Sequence, residues 1–132
     1  DVGLQVLERD RDSLPVGALR GMTPAGFLIG ASVHSPSEAQ EAASQGADFL
    51  VFGPVWDTAS KRVYGPPQGL EALRRVAAGT AVPVLAIGGI TPGRVRDALA
   101  AGAAGVAAIS AILAADRPAA ATKAFLDALG RA

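Results

Sequence analysis

Residues 84–112 read VLAIGGITPGRVRDALAAGAAGVAAISAI, and they contain two apolar strands with a helix between them. The strands are predicted over residues 82–87 and 105–109, and the helix over 92–101, with Gly102 placed to end it. Strands without polar alternation are typical of parallel sheets, which helices cover. The stretch therefore predicts a βαβ unit of a parallel sheet.

Small residues follow both strands, at positions where a phosphate group could bind. Gly88 and Gly89 follow the first strand, and Ser110 follows the second. Glycines let backbone N–H groups approach an anion, and Thr91-Pro92 predicts a hydroxyl-capped helix start whose dipole favours negative charge. Paired loops after the last two strands of a (β/α)8 barrel are a recurrent phosphate site. A tight βα turn alone would also account for the glycines, so both interpretations stand at this point.

The alternation of strand and helix extends over the whole chain. Ser35-Pro36-Ser37-Glu38 is a capping box with proline at the first helical position, and it predicts a helix start. The predicted strands are 2–7, 27–33, 48–53, 82–87 and 105–109, and the predicted helices are 14–20, 35–45, 70–78, 92–101 and 118–129. Five βα units in 132 residues predict a parallel sheet with helical crossovers.

Two architectures fit five such units. One is a doubly wound five-stranded sheet, which would be complete as it stands. The other is part of a (β/α)8 barrel, a fold that needs roughly 200 residues or more. Periodicity alone favours the doubly wound sheet, because that sheet requires no further units.

Composition excludes several classes of function. Lysine plus arginine and aspartate plus glutamate number 12 each, so no basic excess indicates nucleic-acid binding. Cysteine is absent, which excludes disulfides and thiolate chemistry and fits a cytoplasmic protein. Residues 98–115 carry no charge, but two glycines and a helix stop interrupt them, so we expect no membrane span.

Four segments together resemble the thiamine phosphate synthase/TenI family. They read IGASVHS at residues 29–35, GPVWDTASK at 53–61, AIGGIT at 86–91 and AGAAGVAAISAI at 101–112. The family fold is a (β/α)8 barrel, so the resemblance favours the barrel over the doubly wound sheet. It implies that residues 1–132 are a single domain made of the C-terminal five βα units, strands 4–8, without the three N-terminal units.

The resemblance assigns a pyrophosphate site to the loop after the third strand. Thr58, Ser60 and Lys61 supply two hydroxyls and an ammonium group, which suit a pyrophosphate chemically. In the synthase branch the matching loop holds the leaving pyrophosphate, and the serine matching Ser32 contacts it. Lys61 and Ser32 are therefore catalytic candidates, although a solvated loop lysine is the simpler interpretation of Lys61 alone.

His34 is the chain's one histidine, and it lies at the predicted carboxyl end of a strand. A lone histidine is more often an ordinary surface or packed residue. Here it shares a strand face with Ser32, and Ser-Val-His-Ser resembles the TenI branch, in which this histidine transfers a proton in a thiazole tautomerase.

Both branches of the family bind a thiazole phosphate through backbone donors. The matching positions in this chain are Gly88, Gly89, Ile109 and Ser110. The synthase branch also uses Mg²⁺, whose aspartate would be Asp10 or Asp12 here, whereas a tautomerase needs no cofactor. The rest of the synthase's pyrimidine site comes from strands outside this chain.

We interpret the chain as a thiazole tautomerase-like enzyme of thiamine biosynthesis that acts through His34. One alternative is a thiamine phosphate synthase, which condenses an aminopyrimidine pyrophosphate with thiazole phosphate, and the complete Thr-x-Ser-Lys loop favours it. Another is a non-catalytic module that binds a phosphate ligand. The expected partners are the small-molecule thiazole phosphate and a second copy of the chain, because two open parallel edges favour dimerisation.

Overall fold

The computed structural model describes residues 3–7, 14–59 and 65–130. These residues form five parallel strands with helices between them. The strands are β1 (Gly3–Leu7), β2 (Leu28–Val33), β3 (Phe49–Phe52), β4 (Val84–Ile87) and β5 (Gly105–Ala107). The helices are α1 (Val16–Met22), α2 (Pro36–Ser44), α3 (Gly69–Ala78), α4 (Val95–Ala100), α5 (Ser110–Leu113) and α6 (Pro118–Gly130).

The order of the strands decides between the two architectures. The sheet order is β1-β2-β3-β4-β5, so each strand pairs with its neighbours in sequence. A doubly wound sheet instead reverses its strand order at a switch point, so that helices cover both faces. A sequential parallel order with right-handed crossovers places every helix on one face, as in a barrel. The barrel architecture is confirmed, and the doubly wound sheet that periodicity favoured is wrong.

The hydrophobic core lies between this sheet and its helices. Alternate residues of β2, such as Ile29, Ala31 and Val33, are fully buried in it. The helices contribute residues at helical spacing, including Leu73 and Val76 of α3. The remaining core members are Val16, Leu19, Ala39, Ala42, Ala47, Leu50, Phe52, Val55, Val84, Ala86, Ile90, Val95, Ala98, Ala101, Ala103 and Phe125.

The opposite face of the sheet corresponds to the interior of a barrel. Ser32 lies on this face, because it alternates with the core residues of β2. Gly30 lies there too, and a Cβ atom built on it would be 2.2 Å from Cζ of Phe49. The Phe49 ring therefore occupies the space that a larger residue at position 30 would need.

The capping box at the start of α2 is confirmed, with one difference. The Ser35 hydroxyl accepts a hydrogen bond from the Glu38 N–H at 3.2 Å, and Pro36 stands at the first helical position. The Glu38 carboxylate accepts from the backbone N–H of His34 at 2.6 Å. In the usual capping box it would accept from the cap residue itself. The glutamate consequently binds the residue that immediately follows β2.

An ion pair connects three elements at the amino-terminal edge of the sheet. Arg20 Nη2 of α1 lies 2.5 Å from Asp48 Oδ2, which also accepts from the Ile29 N–H at 2.7 Å. These two hydrogen bonds, first that from Ile29 and then that from Arg20, lower the pKa of Asp48 below its usual value. Arg20 Nη2 also donates to the Gly46 carbonyl at 2.6 Å. This edge is opposite the one that carries the predicted site residues.

Among the predicted boundaries that differ from the structure, two have a clear physical reason. The predicted helix 92–101 begins as a 3₁₀ turn, Pro92–Arg94, and the Thr91 hydroxyl makes no capping bond. A capping hydroxyl at Thr91 would accept from the Arg94 N–H. That N–H instead donates to the Thr91 carbonyl at 2.9 Å. The predicted strand 105–109 ends at Ala107, because the backbone of Ile109 already has helical dihedrals and α5 follows.

The uncharged stretch at residues 98–115 is divided among the end of α4, strand β5 and helix α5. Within the part of the chain that the structure describes, no helix is both long enough and apolar enough to cross a membrane.

Candidate functional site

The predicted site residues follow strands that end at one edge of the sheet. Val33 pairs with Phe52, and Ile87 pairs with Ala107, so the carboxyl ends of β2 to β5 lie side by side. Neighbouring strands are about 4.8 Å apart, which places the ends of β2 and β4 about 10 Å from each other. His34, the loop after β3, the two glycines after β4 and Ser110 are therefore grouped at this edge.

The glycines after β4 are required by both conformation and packing. Gly88 has φ +94° and Gly89 has φ +64°, a region that residues with a Cβ atom avoid. A Cβ atom at Gly88 would lie 2.5 Å from Cα of Pro54, and one at Gly89 would lie 2.7 Å from Cβ of Trp56. The tight-turn interpretation is thus sufficient to explain why both residues are glycine.

Hydrogen bonds join the loop after β3 to the loop after β4. The Val55 N–H donates to the Ile87 carbonyl at 2.9 Å, and the Trp56 N–H donates to the Gly88 carbonyl at 3.1 Å. The carbonyl oxygen of Asp57 also lies 2.8 Å from the position that a Cβ atom built on Gly89 would occupy. These contacts bring Thr58, the next residue, beside the glycine loop.

Arg94 forms a second link between these loops, and sequence reasoning missed it. Its Nη1 donates to the Gly89 carbonyl at 2.7 Å, and its guanidinium carbon lies 5.3 Å from the ring centroid of Trp56. This is the range of a cation–π contact. Trp56 is the chain's one tryptophan and lies within the segment GPVWDTASK at residues 53–61. Its presence there was the signal in the sequence that could have indicated this contact.

The contacts on both sides of Gly89 orient its backbone. In a trans peptide the carbonyl oxygen and the amide hydrogen point in opposite directions. Since the Gly88 carbonyl accepts from Trp56, the N–H of Gly89 in the same peptide group points away from the tryptophan backbone. Among the hydrogen bonds between described residues, neither the Gly89 N–H nor the Ser110 N–H is a donor. Both amides are therefore available to an anion.

Ser32 and His34 take the positions that the sequence predicts for them. Ser32 is 8% exposed near the carboxyl end of β2, and His34 follows that strand directly. The ring nitrogen Nδ1 of His34 lies 3.3 Å from Oε2 of Glu38, the oxygen that also accepts from the His34 backbone. The half-buried imidazole is thereby held at the edge of the site by the first turn of α2.

Several predicted site residues lie outside the described part of the chain. They are Ser60 and Lys61 of the loop after β3, and Asp10 and Asp12 after β1. Within residues 14–59 and 65–130, no group of three or more His, Asp or Glu side chains could hold a metal ion. Mg²⁺ commonly binds through one or two carboxylates together with substrate phosphates, so the assignment to Asp10 or Asp12 stays a prediction that lies outside the described residues.

The loop after β5 also contributes predicted site residues. Ile109, 65% exposed, precedes α5, and the exposed Ser110 begins that four-residue helix. Together with the glycine loop it completes a row of small residues after β4 and β5. A sequential parallel βα sheet with its polar and glycine-rich loops at the carboxyl edge defines the class: a (β/α)-barrel protein whose candidate site lies at the carboxyl ends of its strands.

The comparisons with known proteins define the family within this class. Residues 3–112 match the sequence model of the family described as thiamine monophosphate synthase, and the chain belongs to that family. It is 46% identical over 121 residues to a thiamine-phosphate synthase of Methanoculleus marisnigri, covering 92% of this chain and 57% of that protein. It is 44% identical over 131 residues to a bifunctional protein ThiM/ThiE of Symbiobacterium thermophilum, covering 99% of this chain and 27% of that protein.

A solved structure supports the same assignment. The thiamine phosphate pyrophosphorylase of Pyrococcus furiosus superimposes with a TM-score of 0.84 at 34% identity, covering 98% of this chain and 59% of that one. The chain thus spans little more than half the length of most of these relatives.

Proposed function

We propose that this chain supplies the thiazole-phosphate and pyrophosphate sites of a thiamine phosphate synthase. Relatives named thiamine-phosphate synthase support the synthase interpretation over the tautomerase that the Ser-Val-His-Ser motif favours. The structural observation that carries the thiazole-phosphate site, which both branches share, is the pair of available amides, Gly89 N–H and Ser110 N–H, on adjacent strand ends. Two such donors can bind one phosphate group.

In this proposal the two anions occupy neighbouring loops. The thiazole phosphate accepts from the backbone at Gly88, Gly89, Ile109 and Ser110. The pyrophosphate of the aminopyrimidine substrate contacts Ser32, Thr58, Ser60 and Lys61. The contacts between the loops after β3 and β4 support this arrangement, because they would place the two anion sites next to each other.

The reaction forms one bond and breaks one. The thiazole nitrogen bonds to the methylene carbon of the aminopyrimidine, and the bond from that carbon to the pyrophosphate oxygen breaks. Negative charge develops on the leaving pyrophosphate, so the Lys61 ammonium and the hydroxyl donors stabilise the transition state more than the ground state. Mg²⁺, when bound, supplies further neutralisation of the pyrophosphate, and Asp10 or Asp12 is its proposed ligand.

The five βα units are proposed to be the C-terminal five of a (β/α)8 barrel, strands 4–8. The share of the relatives that this chain covers supports this placement. In that placement, the remainder of the pyrimidine site comes from outside these 132 residues. Dimerisation and a cytoplasmic location stay predictions.

A tautomerase remains the second candidate because of His34. The histidine stands at the edge of the site with Nδ1 beside Glu38, which suits proton transfer to and from a bound ring. A His34→Asn variant of a tautomerase would lose about 10²–10⁴-fold in isomerisation rate while still binding the ligand. Isomerisation by His34→Asn at the wild-type rate would remove this candidate.

The full-length protein with Lys61→Ala tests the synthase proposal. Wild type is expected to form thiamine phosphate from the two substrates with Mg²⁺, and Lys61→Ala is expected to lose at least about 10-fold in turnover. Lys123→Ala is the control, since Lys123 is exposed on α6 and pairs with Asp127. A wild-type protein that makes no thiamine phosphate, or a Lys61→Ala variant as active as the control, would contradict the proposal.

A further inference from the structure

We propose that Arg94 is a positioning residue, which holds the Gly88–Gly89 loop in the conformation that binds a phosphate. The inference rests on the proposed phosphate site at Gly89 and names the side chain that prepares it. Arg94 lies five residues after Gly89, but no sequence feature marked it as part of the site, and its role follows from two contacts in the structure.

The first contact is with the loop itself. Arg94 Nη1 donates to the Gly89 carbonyl at 2.7 Å, which orients the peptide group between residues 89 and 90. The preceding peptide group is oriented by the bond from the Trp56 N–H to the Gly88 carbonyl. Both peptide groups around Gly89 are therefore restrained, although glycine is the residue with the most backbone freedom.

The second contact is with the neighbouring loop. The guanidinium of Arg94 lies over the Trp56 ring, and Trp56 itself packs against the hydrophobic core. Arg94 thus connects the glycine loop to a side chain that the core holds in place. A planar guanidinium can donate a hydrogen bond at its edge while its face contacts an aromatic ring, which a lysine ammonium cannot do.

The consequence is a donor that is oriented before the ligand arrives. A loop that must become ordered on binding lowers the affinity by the cost of that ordering. Loss of the Arg94 contacts would release the peptide group between residues 89 and 90, and so remove one of the two restraints that fix Gly89 and its N–H donor. Arg94 has no ion-pair partner among the described carboxylates. Its positive charge is therefore not neutralised by an ion pair there, and it also favours an anion beside the loop.

The test measures the affinity of the full-length protein for inorganic phosphate by calorimetry in four forms. These are wild type, Arg94→Met, Arg94→Lys and the control Arg96→Met. Arg96 is exposed at the start of α4, two residues after Arg94, and carries the same charge, so the control reports the effect of removing a nearby charge. Arg94→Met and Arg94→Lys are both expected to weaken phosphate binding at least 5-fold, and Arg96→Met less than 2-fold.

Two results would overturn the inference. If Arg94→Met binds phosphate as wild type does, the contacts are not needed for the site. If Arg94→Lys binds as wild type does while Arg94→Met is weak, Arg94 acts by its charge and not by position. Should Arg94→Met fail to fold, the Arg94→Lys measurement decides alone.

A second measurement separates this inference from the proposed function. Hydrogen exchange at the Ile90 amide, without ligand, reports the order of the peptide group that Arg94 holds. Faster exchange in Arg94→Lys than in Arg96→Met supports the positioning role, and equal exchange contradicts it. Wild type that binds no phosphate would refute the proposed site, while this exchange result would still decide whether Arg94 holds the loop.

Discussion

Replacing Gly89 by alanine is expected to destabilise the protein by about 2–5 kcal/mol, through two separable effects. The φ of +64° at this position costs a residue with a Cβ atom about 1–2 kcal/mol. The new Cβ atom would also lie 2.7 Å from Cβ of Trp56 and 2.8 Å from the Asp57 carbonyl oxygen. Neither atom is the end of a flexible side chain, so the loop must move, at about 1–3 kcal/mol for overpacking.

Two other glycines separate the conformational effect from the steric one. Gly26 has φ +84°, and no described atom lies within 4 Å of its Cβ position, so Gly26→Ala incurs only the conformational cost of about 1–2 kcal/mol. Gly21 lies in α1 without a positive φ and also faces open space. Gly21→Ala is expected to stabilise the protein by about 0.4–1 kcal/mol, because it restricts the unfolded chain.

All three variants are compared by their free energy of unfolding. It is measured on the full-length protein by urea denaturation followed by far-ultraviolet circular dichroism. The expected order of stability is Gly21→Ala, wild type, Gly26→Ala and Gly89→Ala, from highest to lowest. Equal losses for Gly26→Ala and Gly89→Ala would refute the argument that the loop after β3 packs tightly on Gly89.

Two further predictions concern other parts of the sheet. The pKa of Asp48 is lowered in the folded state, so its stabilising contribution is present above the unfolded pKa of 3.8 and is lost as the pH falls through the lower folded value. Asp48→Asn should therefore reduce stability near neutral pH and flatten the loss of stability in acid, measured by thermal melts between pH 7 and 2. Gly30→Ala should destabilise the protein by about 1–3 kcal/mol through contact with Phe49, and Phe49→Leu should relieve part of that loss in a double-mutant cycle.

Local signals predicted the elements well but not the architecture. The start of α2 was predicted from Ser35 and Glu38 because a capping box depends on residues three positions apart. The order of the strands depends on contacts between units, and periodicity carries no information about them. Periodicity therefore favoured the doubly wound sheet, and the resemblance to a known family was needed to predict the barrel.

The candidate site, too, could be predicted only in part from the sequence. The positions of Gly88, Gly89 and Ser110 after adjacent strands were predictable, because parallel strands end at one edge. The contact between Arg94 and Trp56 was not predictable, because it joins side chains from two different loops. The sequence also did not predict that the Thr91 hydroxyl makes no capping bond. Thr91-Pro92 suits a helix cap, but in the 3₁₀ turn the Arg94 N–H donates to the Thr91 carbonyl and is not available to the hydroxyl.

The sequential order of the sheet also has a consequence for how the chain folds. Paired strands are close in sequence, as in Gly30 with Phe49 and Leu85 with Gly105, and even the longest step, Leu50 with Val84, spans one crossover. Short separations reduce the entropy lost on closing each loop, which favours rapid folding. We therefore expect a βαβ unit to be the smallest part of this sheet that forms, with each further unit adding one strand pair beside those already made.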